Sequence, residues 1–324
     1  MKIRFYIIIS LIYLLLVNIQ AQTGGEKYIV PFVGEKKIYG FKDSVSSKVI
    51  IKPKYDKAGE MVNGFALVQL KNKWGFVNRY GKEVIKPRYD EALNFKDNFA
   101  AIRLDGKWGF INNEGKMVIL PAYEQVNSIS EGLAAVKLNN KWGYINKIGK
   151  QIVRLKYDSV FEFHNGIAKV KLGRKLGFVN QNGVETVSPR YDGVWPFFDG
   201  MAKVVNNFAY GFINNKGQEV IPCKYDEVLD FHEGIVRVDN NYRYGFADKS
   251  GKEIVAPKYD DAYSFSEGFA GVSYNGKWGF VDKTGTEVIP LKYDMVTDFK
   301  NGLSLVEISG KSFYINTKGQ ITTR

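Results

Sequence analysis

"NGKWGFVDKTGTEVIPLKYD", residues 275–294, packs two tight-turn signals and two alternating apolar runs into one short stretch. The chain says nearly the same thing at 71–90 ("KNKWGFVNRYGKEVIKPRYD") and at 105–124 ("DGKWGFINNEGKMVILPAYE"). Its closing tyrosine recurs at 55, 89, 123, 157, 191, 225, 259 and 293, a step of 34 residues every time. Asp follows each Tyr, except for Glu124 in the third copy. Nineteen residues after each Tyr comes the Trp-Gly position, filled by Trp74, Trp108, Trp142 and Trp278 and elsewhere by Leu176, Tyr210, Tyr244 and Ser312. Spacing this regular means one supersecondary unit copied along the chain.

Within a copy the apolar period is two, the period of a strand. Ala134, Val136 and Leu138 alternate with Ala135 and Lys137, and the same columns hold Ala66, Val68, Leu70 and Ala100, Ile102, Leu104. Asp105-Gly106, Asn139-Asn140 and Asn275-Gly276 follow as two-residue loops, made of residue types that tolerate positive φ. A second strand ("KWGFIN" and its copies), a turn ending in Gly81, Gly115 or Gly149, and a third "EVI" strand closed by proline complete the unit. The expected fold is all-β: tandem 34-residue three-stranded meanders forming an elongated twisted array or solenoid, with a closed propeller-like ring as the alternative. The expected boundaries are a signal peptide at 1–21, a leading hairpin or cap at 22–54, and eight repeats over 55–324. Pro31 suits an exposed edge strand.

A two-residue loop sets the register, and register sets the faces. With Asp105-Gly106 as the loop, Ala100, Ile102, Gly109 and Ile111 share one small apolar side, expected to pack on a neighbour. Trp108, Phe110, Arg103 and Ala101 share the other, expected to be broad, mixed and partly basic. Phe76, Phe110, Tyr144, Phe178, Phe212, Phe246 and Phe280 form an unbroken aromatic column read as core, with Gly75, Gly109 and Gly143 as structural glycines. Trp74, Trp108, Trp142 and Trp278 fit either core or a stacking platform for a ligand. Arg103, Lys137, Lys169, Lys203 and Arg237 flank them as candidate binding cations.

The joint spacing of W-G-F, Gly, V-I-x-P and Y-D over residues 36–324 resembles the WG (KWG) repeat family, β-rich arrays found largely in bacterial proteins, many of them exported. The aromatic hairpins are also distantly similar to cell-wall-binding repeats such as choline-binding modules. That likeness implies carbohydrate or envelope binding by analogy only. Leu176, Tyr210, Tyr244 and Ser312 depart from the family pattern and interrupt any continuous tryptophan ladder.

The start of the chain has a different character. Lys2 and Arg4 precede an apolar run from Phe5 to Val17, and "IQA" offers a small residue for cleavage after Ala21. This predicts export, to the periplasm, cell surface or outside, with an uncleaved anchor as the alternative. No membrane span is expected in residues 22–324. The chain carries 46 Lys and Arg against 34 Asp and Glu; without Lys2 and Arg4 the balance is 44 to 34, a net +10. Such a surface favours anionic or glycan envelope components, or another protein, as partners ahead of nucleic acid. Cys223 is the sole cysteine, so no internal disulfide forms, and it reads as a neutral substitution.

Catalytic equipment is not apparent. His164 and His232 occupy one column two repeats apart, and no zinc spacing, phosphate loop or thiol–imidazole pair is present. Asp56, Asp90, Asp158, Asp192, Asp226, Asp260 and Asp294 are periodic, which suits turn capping beside the Lys or Arg preceding each Tyr. No cofactor or metal is expected. The reading is a non-enzymatic binding or interaction module; a scaffold without a small ligand and a carboxylate-dependent hydrolase are the alternatives.

Overall fold

The computed structural model describes residues 28–322. The leader at 1–21 lies outside them. Nine separate antiparallel sheets follow one another among the described residues. The first has three strands (Ile29–Val33, Tyr39–Asp43, Val49–Tyr55), so the leading segment is a hairpin plus an outer strand that ends on Tyr55. The other eight have four strands each. In the copy at 91–123 these are a short inner strand Glu91–Ala92, the hairpin Phe99–Leu104 and Lys107–Asn112, and an outer strand Met117–Tyr123. The tandem meander is as expected. The fourth strand is an addition: Glu91 and Ala92 pair with Arg103 and Ile102, in a connector whose sequence carries no alternation to announce it.

By contacts the chain divides into two compact units, residues 28–166 with 181–183, and 167–180 with 184–322. In both, the hairpin register is the one its loop demands: Leu104 opposes Lys107, Arg103 opposes Trp108, and Ala100 opposes Ile111. Asp105 (φ 50°) and Gly106 (φ 76°) both adopt the left-handed conformation of a mirror-image turn.

The outer strand explains the Trp-Gly pair. Trp108 pairs with Tyr123 and Phe110 with Ile119, so two steps on one strand face four on the other. The excess bulges over Gly109, where a Cβ would lie 2.5 Å from the Ile119 carbonyl oxygen and 2.8 Å from the Pro121 nitrogen. Glycine is there because backbone occupies the space of a side chain. In the last described sheet the third strand is Ile321–Thr322, pairing runs regularly from Tyr314–Thr322 to Ile315–Ile321, and Phe313 stands where the glycine would be.

The small apolar side packs on a neighbour as expected, and the broad aromatic side is covered as well. Ala100, Ile102 and Ile111 are buried against Phe76, Ile85 and Tyr89 of the preceding sheet and against Phe95 of the connector that follows Ala92. On the opposite side, Ala101 and Phe110 are buried against Ala134, Val136 and Ile145 of the following one. That sheet is covered on both faces because its neighbours stack on it. Buried rings close the seams: Phe95 lies 4.3 Å from Phe65 and 4.7 Å from Phe76, centre to centre.

Polar groups tie the sheets at both ends of the strands. Asp192 accepts the Asn207 amide at 2.8 Å and Asp226 the Asn241 amide at 2.6 Å, capping the hairpin loop. The cation paired with this column is the Lys of "KWG", not the residue before Tyr: Lys73 reaches Asp90 at 2.5 Å and Lys141 reaches Asp158 at 2.6 Å. At the opposite end, Glu131 accepts the amides of Asn165 and Gly166, both at 2.8 Å, one repeat further on. Glu267 does the same for Asn301 and Gly302 at 2.7 Å.

Candidate functional site

Trp74, Trp108, Trp142 and Trp278 are all half-buried where the hairpin leaves the stacked core. The column beside them, Phe76 to Phe280, is buried, as are Gly75, Gly109 and Gly143. The five candidate cations fall in two columns. Arg103 and Lys137 oppose a tryptophan across the hairpin, whereas Lys169, Lys203 and Arg237 oppose Phe178, Phe212 and Phe246. Several are engaged locally. Lys203 lies 5.0 Å from the Trp195 ring centre. Arg237 donates to the Ala262 carbonyl at 2.5 Å and covers the Tyr244 ring. Trp278 stacks on Tyr263 at 4.6 Å, and Lys57 sits 6.0 Å from Trp74.

Three of the nine candidates meet in one place. Arg103, Trp108 and Trp142 line an open groove of about 420 Å³ between the sheets at 91–123 and 125–157, with Glu91, Glu124, Gln125, Val126 and Asn127. Arg103 is held by an ion pair from Nη1 to Glu91 at 2.5 Å, while its buried Nε has no partner. Glu124 accepts the Asn139 and Asn140 amides at 3.0 and 3.1 Å. The groove therefore offers two indoles, a guanidinium, two carboxylates and two carboxamides. Both carboxylates are occupied, and no hydroxyl, thiol or imidazole lines the wall.

Sequence reasoning missed Glu91, Gln125 and Asn127. Their signal is variability: the residues after the acid that follows each Tyr read, among others, "EALN", "QVNS", "GVWP", "EVLD" and "DAYS", positions where otherwise similar copies differ. Elsewhere the chemistry is quiet. Burial and the nearby Glu219 push the Cys223 thiol up to about 11, which keeps it protonated. His164 and His232 are exposed. Among the described residues no group of side chains could hold a metal ion, and no helix is long and apolar enough to cross a membrane.

The Trp-to-Trp frame of these sheets is the frame of a known repeat. The WG containing repeat matches eight times, at 39–74, 74–108, 108–142, 142–175, 177–207, 210–244, 244–278 and 278–311. The chain belongs to the WG repeat family. No curated protein matches this WG repeat protein. Among solved structures, a eukaryotic initiation factor is similar over 92% of this chain and 96% of its own, at 10% identity and a TM-score of 0.38. Kluyveromyces lactis Hsv2 is similar over 80% and 94%, at 11% and 0.30. The extracellular domain of a hybrid two-component system from B. thetaiotaomicron is similar over 91% and 50%, at 10% and 0.28. At such scores these likenesses assign no activity to the chain.

Proposed function

We propose that this WG repeat protein is an exported, non-enzymatic binding module, and that the groove between the sheets at 91–123 and 125–157 takes a saccharide of the cell envelope. The observation carrying this reading is the meeting of Trp108 and Trp142 with Arg103, Glu91, Gln125 and Asn127 in one groove. A sugar ring presents a C–H face that packs on indole and hydroxyls that need donors and acceptors at the rim. The volume falls within the range of about 300–1,000 Å³ typical of small-ligand sites. Export is supported by the basic start, apolar run and small-residue cleavage site at 1–21. Absence of turnover is supported by carboxylates already committed to Arg103 and to backbone amides.

The test is a glycan array and an envelope pull-down with residues 22–324, beside a Trp108→Leu/Trp142→Leu variant. Leucine is tolerated in this column, since Leu176 occupies it in another copy. Retention of a saccharide by the parent and its loss in the variant is expected. A parent that retains no saccharide or envelope component sinks the proposal. Recovery of a protein alone turns it toward a protein partner. Turnover abolished by a single Asp or Glu substitution overturns the non-enzymatic assignment.

A further inference from the structure

Among the described residues the net positive charge is confined to the first unit. The described residues of the first unit include 23 Lys and Arg against 14 Asp and Glu, and those of the second 19 against 19. Much of the surplus sits on the outer edge strands. In the first unit these run over 49–55, 83–89, 117–123 and 151–157 and carry six cations against one acid, Glu83. In the second they run over 185–191, 219–225, 253–259 and 287–293 and carry four cations against four acids. Exposed Lys82, Lys116 and Lys150, in the turns entering three of the first unit's strands, add to the excess.

These strands lie side by side. Tyr55 at the end of the first donates to Glu83 at the start of the second, at 2.7 Å. Gly115, entering the third, lies against Ile85 of the second, and Gly149, entering the fourth, against Ile119 of the third. Stacked sheets stand about 10 Å apart, so the cations form a ladder along one surface. Large apolar side chains project from the same surface: Leu120 is 74% exposed on its strand, and Tyr80 and Ile148 are 77% and 79% exposed at the tips of the entering turns. The corresponding positions of the second unit hold Ser188, Pro222, Ala256 and Pro290 on the strands, and Lys216, Ser250, Thr284 and Lys318 at the tips.

Edge strands commonly carry Lys to deter pairing with other chains. The second unit meets that need with cations balanced by acids, so edge protection does not account for the first unit's surplus. Exposed Leu120, Tyr80 and Ile148 work against it. A linear anionic polymer would engage the cations and leave these three side chains unused. A bilayer with anionic headgroups uses both, since basic groups meet phosphate while Tyr, Ile and Leu enter the headgroup region. We infer that the outer edge of the first unit docks peripherally on an anionic phospholipid surface. This goes beyond the groove, which opens at the inner-strand side of the same sheets and stays accessible.

Residues 22–324, which keep every described residue, are to be co-sedimented with phosphatidylcholine vesicles with and without phosphatidylglycerol. Binding only to the anionic vesicles, weakened by salt, is expected. Lys86→Glu/Arg154→Glu lowers it by about tenfold or more, whereas Lys252→Glu in the second unit leaves it unchanged. Leu120→Ser/Ile148→Ser also weakens vesicle binding while leaving any binding to polygalacturonate as it was. Equal binding to neutral vesicles, an equal loss with Lys252→Glu, or indifference to Leu120→Ser/Ile148→Ser each overturns the inference, the last in favour of a polymer. All these positions are exposed, and thermal unfolding of each variant checks that the fold persists. Loss of vesicle binding leaves saccharide retention in place, and Trp108→Leu/Trp142→Leu leaves vesicle binding in place, so the two proposals fail separately.

Discussion

The outer strands of the two units begin differently. In the second unit a Glu near the start of three of these strands takes the hydroxyl of a buried Tyr from the preceding sheet: Tyr191 donates to Glu219 at 3.0 Å, Tyr225 to Glu253 at 2.6 Å and Tyr259 to Glu287 at 2.9 Å. In the first unit Tyr55 donates to Glu83 in the same way, at 2.7 Å. The equivalent positions opposite Tyr89 and Tyr123 hold Met117 and Gln151, and Tyr89 instead accepts from Arg88 at 2.8 Å. One column thus does two jobs. Where the acid is kept it locks consecutive sheets and neutralises the edge; where it is lost the edge is left basic.

Four experiments break or sharpen that comparison. The largest effect belongs to what both units share. Gly109→Ala and Gly245→Ala each force a Cβ to within 2.5 Å of a carbonyl oxygen, and each should cost about 3 kcal/mol in urea unfolding. A negligible cost in either unit would remove the bulge as the reason for the glycine. Next comes the lock. Tyr225→Phe, which strips Glu253 of a charged hydrogen bond, should cost about 1.5 kcal/mol. Tyr89→Phe should cost less, because no carboxylate faces it, and equal losses would erase the distinction between the units.

Acid gives the third. Hydrogen bonds from Lys224 and Tyr225 hold the Glu253 carboxyl below the usual carboxylate range. Burial alone would raise Glu83, but hydrogen bonds from Tyr55 and Lys54 outweigh it and leave it lowered. A carboxyl whose folded pKa is depressed stabilises the fold above its unfolded value of about 4.3, and the contribution is lost as pH falls through the lower folded value. Melting temperature should therefore drop on acidification below about pH 5, and Glu253→Gln should flatten that acid limb. An unchanged limb would show that Glu253 is not the group responsible. The smallest effect tests conversion: Met117→Glu should pair with Tyr89 and Arg88 and stabilise by about 0.5 kcal/mol, while weakening vesicle binding through its added negative charge.

Much of the fold was legible because its determinants are local. The alternation in "GLAAVKL" and the Asp-Gly and Asn-Asn loops set strands and register without reference to the rest of the chain. Glu91–Ala92 was not legible, since two residues are too few to show a period. How far the aromatic side is covered was not legible either, because alternation distinguishes two sides of a strand but does not say whether both are covered. For the candidate site, the Trp column was visible as a column. Its partners Gln125 and Asn127 were not, because they join the groove only through the packing of one sheet on the next.

The amino-acid sequence alone determined that this protein is a run of similar β meanders sharing one hairpin register, because turn chemistry and a two-residue period act over a few bonds. Tertiary structure alone decided which side chains stay wet. Arg103, Trp108 and Trp142 share a groove, and Lys52, Lys86 and Arg154 share an edge, only because each sheet is set against its neighbour. That setting depends on contacts one repeat apart, such as a tyrosine hydroxyl on a glutamate and a bare glycine under a carbonyl.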